Sequence, residues 1–239
     1  MKHILKFSFS VLLFLSQCIG MAQENVTDTI SDAKDTYGLR IGVDLYRTTR
    51  AFYDDNYKGL ELVGDFRITK KIYFAAELGN ENKTVVDDRL DFTSRGSYLK
   101  IGADYNFYQN WLEMDNQIYI GMRYAFSTFS QELNAFKIYT PHPFYGESQW
   151  IPSGDKFNGL TAQWIEIVVG FKAELLNNLY GGISLRLNRM ISQNQPASFE
   201  NLFVPGFNRT YSGTIGTGFN YTLTYSVPIY KKKKITTIP

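Results

Sequence analysis

Three features of the chain predict its fold: an N-terminal export segment, eight segments whose apolar and polar side chains alternate with period two, and connections that alternate between short and long. Together they describe an all-β protein, an eight-stranded antiparallel up-and-down transmembrane β-barrel.

The export segment comes first. Lys2 and Lys6 form a short basic region, and Ile4 to Ile19 is mostly apolar, with Leu12, Leu13, Phe14 and Leu15 at its centre. Gly20 and Ala22 place small residues at −3 and −1 before Gln23, which is the layout of a secretory signal peptide. The apolar run is shorter than the ~20 residues a spanning helix needs. Gln17, before Cys18, is not the small residue a lipidation signal wants, so residues 1–22 are expected to be removed after Ala22. The expected mature chain then has no cysteine and no disulfide. Loss of Lys2 and Lys6 leaves 23 basic residues against 23 acidic ones. With no net basic field, nucleic acid is not expected as a partner.

Residues 23–36 are polar and read as a flexible periplasmic lead-in, 37–230 as the barrel and 231–239 as a basic periplasmic tail. The first strand sets Tyr37, Leu39, Ile41, Val43 and Leu45 against Gly38, Arg40, Gly42, Asp44 and Tyr46. The second sets Leu60, Leu62, Gly64, Phe66 and Ile68 against Glu61, Val63, Asp65 and Arg67, and the third Ile72, Phe74, Ala76 and Leu78 against Tyr73, Ala75, Glu77 and Gly79. In the fourth, Leu99, Ile101, Ala103, Tyr105 and Phe107 oppose Tyr98, Lys100, Gly102, Asp104 and Asn106. The fifth places Ile118, Ile120, Met122, Tyr124 and Phe126 opposite Gln117, Tyr119, Gly121, Arg123 and Ala125. The sixth alternates from Trp164 to Ala173, with Glu166 and Lys172 on its polar face, and the seventh from Leu179 to Asn188, with Arg186 on its polar face. The eighth runs from Gly216 to Val227. No charge interrupts an apolar face, and a slip of one residue would put one there.

Thr69–Lys71 and Leu176–Asn178 read as tight turns and 108–116 as a moderate one. Stretches 50–59, 80–96, 128–160 and 190–212 read as long loops, the third with a hairpin extension around 135–139 and 149–151. Short periplasmic turns and long external loops are the outer-membrane pattern.

Alternation does not say which face is inside. A soluble lipocalin-like carrier in the periplasm would turn the apolar faces inward, whereas a membrane barrel turns them outward. The polar faces carry Gly38, Gly42, Gly79, Gly102, Gly121, Gly170, Gly182, Gly216 and Gly218. Glycines weaken a solvent-facing strand, but inside a narrow barrel they leave room for long charged side chains. Tyr37, Tyr105, Phe107, Phe171, Tyr225 and Tyr230 at one end, and Phe126 and Phe129 at the other, read as interfacial girdles. The membrane orientation puts Arg40, Arg67, Lys100, Arg123, Lys172 and Arg186 in the lumen with Asp44, Glu61, Asp65, Glu77, Asp104 and Glu166. Equal numbers of each sign point to an internal ion-pair network. A charged ion pathway is the alternative, but eight strands enclose little beyond their own side chains, which favours a plugged lumen.

From Tyr37 to Lys234 the chain resembles the small outer-membrane β-barrel proteins of Bacteroidota, and among them a family of unknown function. The resemblance rests on GLRIGVDL (38–45), GLELVGDFRITKKIYFAAELGNE (59–81), RGSYLKIGADYNFY (95–108) and PGFNRTYSGTIGTGFNYTL (205–223). It implies an outer-membrane location, with both termini in the periplasm and outer-membrane lipid as surroundings, and it brings no catalytic residues. Thr214, Gly216, Phe219 and Tyr221 loosely resemble the signal read by the barrel insertion machinery, an expected partner during biogenesis.

No His/Cys cluster points to a metal site and no motif to a cofactor. The catalytic candidate is His142, in the longest loop near Glu147, Ser148 and Asp155, which would serve a rim-site lipid-modifying enzyme. The same loop carries Phe136, Tyr139, Phe144, Tyr145, Trp150 and Phe157, candidates for recognising an extracellular protein, glycan or lipopolysaccharide. A structural or binding role through the external loops is the reading this composition favours.

Overall fold

The computed structural model describes residues 34–108, 115–139, 148–196, 200–209 and 214–233. The expected signal peptide, most of the lead-in, His142, Phe144, Tyr145 and residues 234–239 lie outside them. The elements are β1 (Lys34–Asp44), α1 (Leu45–Tyr53), β2 (Tyr57–Arg67), β3 (Ile72–Val86), β4 (Leu90–Asn106), β5 (Gln117–Phe136), β6 (Ile151–Leu176), β7 (Leu179–Gln193), β8 (Phe203–Val204), β9 (Asn208–Arg209) and β10 (Ile215–Lys233). Eight of the strands close into an antiparallel barrel in the order β1-β10-β7-β6-β5-β4-β3-β2, and β8 pairs with β9 in a separate small hairpin.

The barrel is apolar outside and charged inside. Met122, Ile183 and Leu185 are about two-thirds exposed, whereas all twelve charged residues of the polar faces are buried. This is the reverse of the orientation a lipocalin-like carrier needs. Above the apolar outer band, outward positions turn polar at Asn80, Ser97, Thr128, Gln163 and Arg189. Along β4 and the residue after it, the outward apolar side chains run from Leu99 to Phe107. Such a stretch rises ~27 Å along a strand, or ~21 Å along the axis at a tilt of ~40°.

Local features depart from strict alternation. β1 begins at Lys34, and Lys34–Thr36 pair with Lys231–Lys233, so both presumed tails contribute a strand end. A register shift at Tyr37/Gly38 turns Tyr37 inward, where Arg67 lies over its ring at 5.0 Å; Tyr37 is not a girdle residue. Phe129 is also buried and is not a girdle residue, because it continues the inward phase of Arg123, Ala125 and Ser127 on β5. The supposed loop 80–96 is mostly strand, because β3 and β4 pair as far as Val86 and Asp91. β5 and β6 likewise pair up to Phe136 and Ile151, forming a hairpin that stands beyond the polar ring.

Stretch 45–53 is a helix. The Asp44 side chain accepts from the Tyr46 amide at 2.9 Å, capping its first turn. The Thr48 and Thr49 hydroxyls bond back to the carbonyls of Asp44 and Leu45. At the same end of the barrel the β8–β9 hairpin folds into the mouth. Val204 and Phe207 are fully buried, and Phe207 meets the Trp164 ring edge-on at 5.7 Å. Tyr98, Ala125, Phe129, Leu160, Ala162, Trp164 and Met190 complete this cluster, and Phe157 packs against it. The turn needs Gly206, whose φ is +86° and whose Cα lies against the Tyr98 ring.

Gly206→Ala meets both a left-handed backbone and that ring. Gly154, at φ +74°, has nothing within 4 Å of where a Cβ would sit. Gly154→Ala is expected to cost about 1–2 kcal/mol for the backbone alone. Gly206→Ala should cost more than that in equilibrium urea unfolding, and equal losses would count against a seated hairpin.

Candidate functional site: the charged lumen

The lumen is built where inward positions of neighbouring strands come into register. Glycines oppose large side chains: Gly79 pairs with Tyr98 and Gly170 with Tyr119, and a Cβ at either glycine would overlap the facing ring. This spacing lets charged side chains cross the bore and meet.

The central layer joins β3 to β7. Arg186 donates to Glu77 at 2.6 and 3.0 Å and to Glu166 at 2.9 Å. Lys100 lies 3.0 Å from Glu166 and 3.7 Å from Glu77. Arg123 holds Asp104 at 2.7 Å and approaches Glu77 at 3.4 Å, while its Nη1 also donates to the carbonyls of Met122 and Ala103. The Trp164 indole donates to Glu166 at 2.7 Å, tying the ion network to the apolar cluster above it.

The layer near the chain termini is richer in cations. Arg40 donates to Asp65 at 2.7 Å and Lys172 to the other Asp65 oxygen at 2.5 Å. Arg40 stacks on Tyr73 and Tyr180, at 4.8 and 5.2 Å, and Lys172 faces Tyr119 at 5.2 Å. Arg67 lies 3.6 Å from Asp115, in the β4–β5 connection. Burial pushes the Asp115 carboxyl above its usual range, outweighing the pull of Arg40 and Arg67.

The layer at the loop end includes two charged residues beyond the twelve of the polar faces, Arg47 and Glu81. Arg47 enters the barrel from α1, donates to Glu61 at 3.0 Å, pairs closely with Glu81 and lies 3.5 Å from Asp44. Tyr98 donates to Glu61 and Tyr57 to Glu81, both at 2.5 Å. Asn220 donates to Asp44 at 2.5 Å and Glu61 at 3.1 Å, and the Gly206 amide donates to Glu81 at 2.7 Å. Glu81 was legible as one more inward step in phase with Glu77 and Gly79. Arg47 was not, because a strand reading of Tyr46 ends before it.

Among the described residues seven buried cations now face seven buried acids. Breaking such a network by removing one partner strands the other charge. The acids are crowded at the loop end, where Asp44, Glu61 and Glu81 surround the single guanidinium of Arg47.

Of the aromatic loop candidates, Tyr139 is exposed with Arg89 over its ring at 4.2 Å, and Trp150 is part-exposed with Lys137 at 4.7 Å. Phe136 is half-buried, as is Phe157, which turns inward to the buried cluster. Among the described residues no group of three or more His, Cys, Asp or Glu could hold a metal ion. On the exposed side of α1, Lys83 bonds Asp54 at 2.8 Å and, with Arg50, holds its carboxyl below the usual range. A depressed acid stabilises the fold above its unfolded value and ceases to as pH falls through the folded one. The clasp is therefore expected to persist at neutral and mildly acidic pH, and Lys83→Met should remove its share of acid resistance.

Arg186→Met, which leaves Glu77 and Glu166 short of a partner, should cost about 3–5 kcal/mol in urea unfolding of the folded barrel. Adding Glu77→Gln should recover part of that loss, because the two positions act as one network. Strict additivity of the two changes would show that they do not.

No curated protein sequence matches the chain. Among solved structures, Neisserial surface protein A is similar at 12% identity, with 82% of this chain and 97% of that chain covered and a TM-score of 0.42. The family described as a domain of unknown function (DUF6048) matches residues 4–232, and the chain belongs to that family.

Proposed function

We propose that the mature chain is an outer-membrane β-barrel that does not conduct, and that it acts through its external loops in a structural or binding role. The observation that carries this reading is the inverted distribution of polarity: a lipid-suited outer band around a charge-balanced lumen. A soluble protein seldom exposes a continuous apolar belt of this extent. A shallow apolar groove of about 460 Å³ on the belt, between Ile72, Tyr105, Ile120, Met122 and Ile167, suits acyl chains. In this orientation both termini face the periplasm, after removal of residues 1–22, and the α1, β5–β6 and β8–β9 end faces outward. Outer-membrane lipid surrounds the wall, and the insertion machinery is the partner during assembly.

The plugged lumen follows from three stacked layers: the seated β8–β9 hairpin, the central ion network and the Arg40–Asp65–Lys172 group. Recognition then falls to the protruding β5–β6 hairpin. Tyr139 and Trp150, each capped by a cation, present amphipathic faces suited to a protein, a glycan or lipopolysaccharide.

Fractionation should recover the protein with the outer membrane, and its gel band should shift on boiling. Recovery as a detergent-independent soluble protein would overturn the reading. Leu185→Arg, at an outward position, should cost about 2–4 kcal/mol in lipid vesicles. The same change on a water-facing surface would fall within about 0.5 kcal/mol. Reconstituted into planar bilayers, the protein should give no steady conductance.

A further inference from the structure

One seam of the barrel wall lacks a strand. β1 ends at Asp44, where it pairs with Thr222 of β10, and its last partner on β2 is Leu62, opposite Val43. β10 continues beyond this point to Ile215, still paired with β7, and β2 extends away to Tyr57, still paired with β3. Ile215–Tyr221 of β10 and Tyr57–Glu61 of β2 therefore present edges with no strand between them. One absent strand leaves a gap of two strand spacings, ~10 Å. That is about the diameter of a helix with its side chains.

Helix α1 fills the gap. Arg47 points from it into the lumen, to Glu61 of β2 and Glu81 of β3. Tyr46 packs on Phe219 and Tyr221, with ring centroids 4.6 and 6.0 Å away, and Thr49 meets the Tyr221 hydroxyl. Arg50 lies over the Tyr57 ring at 4.2 Å. Phe52 and Tyr53, at the far end of the helix, are 84% and 71% exposed. Phe219 belongs to the apolar outer face, so the seam reaches into the band that lipid would cover. Open sheet edges are not tolerated in hydrocarbon, which makes some cover obligatory. Among the described residues no backbone hydrogen bond joins α1 to either edge. The other seams are backbone ladders; this one is held by side chains.

We propose that α1 is a lateral gate in the barrel wall, pinned by Arg47, that opens the loop-end half of the lumen toward the outer leaflet. This rests on the outer-membrane reading above. Swinging α1 out withdraws the guanidinium and leaves Asp44, Glu61 and Glu81 facing the opening. The exposed chamber is acidic and favours a molecule that brings positive charge. The pin therefore sets the threshold: the gate stays shut until another cation takes the place of Arg47.

The test places a thiol behind the gate. Asn220→Cys lies in the lumen on β10, 3% exposed, in an expected mature chain with no other cysteine. Ala125→Cys is equally buried but sits between two fully laddered strands and serves as the control. In lipid vesicles, a maleimide that partitions into the bilayer should label Asn220→Cys at least tenfold faster when Arg47→Met is added, with Ala125→Cys unchanged. Tyr46→Ala, which loosens the helix and leaves Arg47 in place, should accelerate the same site and covers the case in which Arg47→Met fails to fold. If both variants keep the boiling shift and label Asn220→Cys at the unaltered rate, the gate is overturned and the barrel reading stands. Equal acceleration at Ala125→Cys would mean general loosening and would also overturn the gate. Loss of vesicle insertion by the otherwise unaltered chain would instead overturn the outer-membrane reading.

Discussion

Charge neutrality inside the wall is the constraint on which the rest of this structure depends. Seven cations and seven acids are withdrawn from water in a bore filled by side chains. A single unmatched charge there costs several kcal/mol, which is a large share of a typical domain's stability. The network therefore fixes more than its own geometry. It links β1 with β2 through Arg40 and Asp65, β3 with β7 through Glu77 and Arg186, and β2 with α1 through Glu61 and Arg47. The Glu77–Arg186 bond joins strands on opposite sides of the barrel and resists its collapse or ovalisation, which hydrogen bonding along the wall alone does not.

The two ends of the bore are built differently. At the termini end, Arg40 and Lys172 share the Asp65 carboxylate, Arg67 meets Asp115, and all three cations lean on aromatic faces, Tyr73, Tyr180, Tyr119 and Tyr37. At the loop end, three carboxylates converge on the Arg47 guanidinium and on neutral donors from Tyr57, Tyr98, Asn220 and the Gly206 amide, with the Lys100 ammonium 3.9 Å from Glu61. The loop end is thus more acidic, and it is where the chain supplies its closures, α1 in the wall and the β8–β9 hairpin in the mouth. Both are anchored to the same carboxylate, Glu81, which accepts from Arg47 and from Gly206. The wall closure and the mouth closure thus share that carboxylate.

Membership of a family described only as a domain of unknown function leaves the surface to argue for function. The described part of the β5–β6 hairpin is the most projecting feature, and its aromatic residues divide by role. Phe157 packs inward on the buried cluster, whereas Tyr139 and Trp150 stay at the surface beneath cations. A surface so arranged offers amphipathic aromatic contacts.

The sequence by itself determined the barrel and its strand number, because a period of two is geometric and any slip would have carried a charge to the apolar face; the glycines of the polar faces, not the period, set which face is inside. It also determined the twelve inward charges, which the structure brings into bonded layers, and the glycines that make room for them. What only the tertiary structure decided were the places where the period breaks. Tyr37 turns inward at a register shift that depends on the neighbouring strand, so no single strand records it. Stretch 80–96 reads as polar loop, yet pairs as strand because two such edges beyond the apolar band satisfy each other. Arg47 entered the lumen only because a helix, capped by Asp44, fills the wall where β1 stops. Its local signs, a capping acid and loss of alternation after Tyr46, have no meaning until the gap between β2 and β10 exists. Partners across the bore, such as Glu77 and Arg186, are 109 positions apart, and only closure of the barrel brings them together.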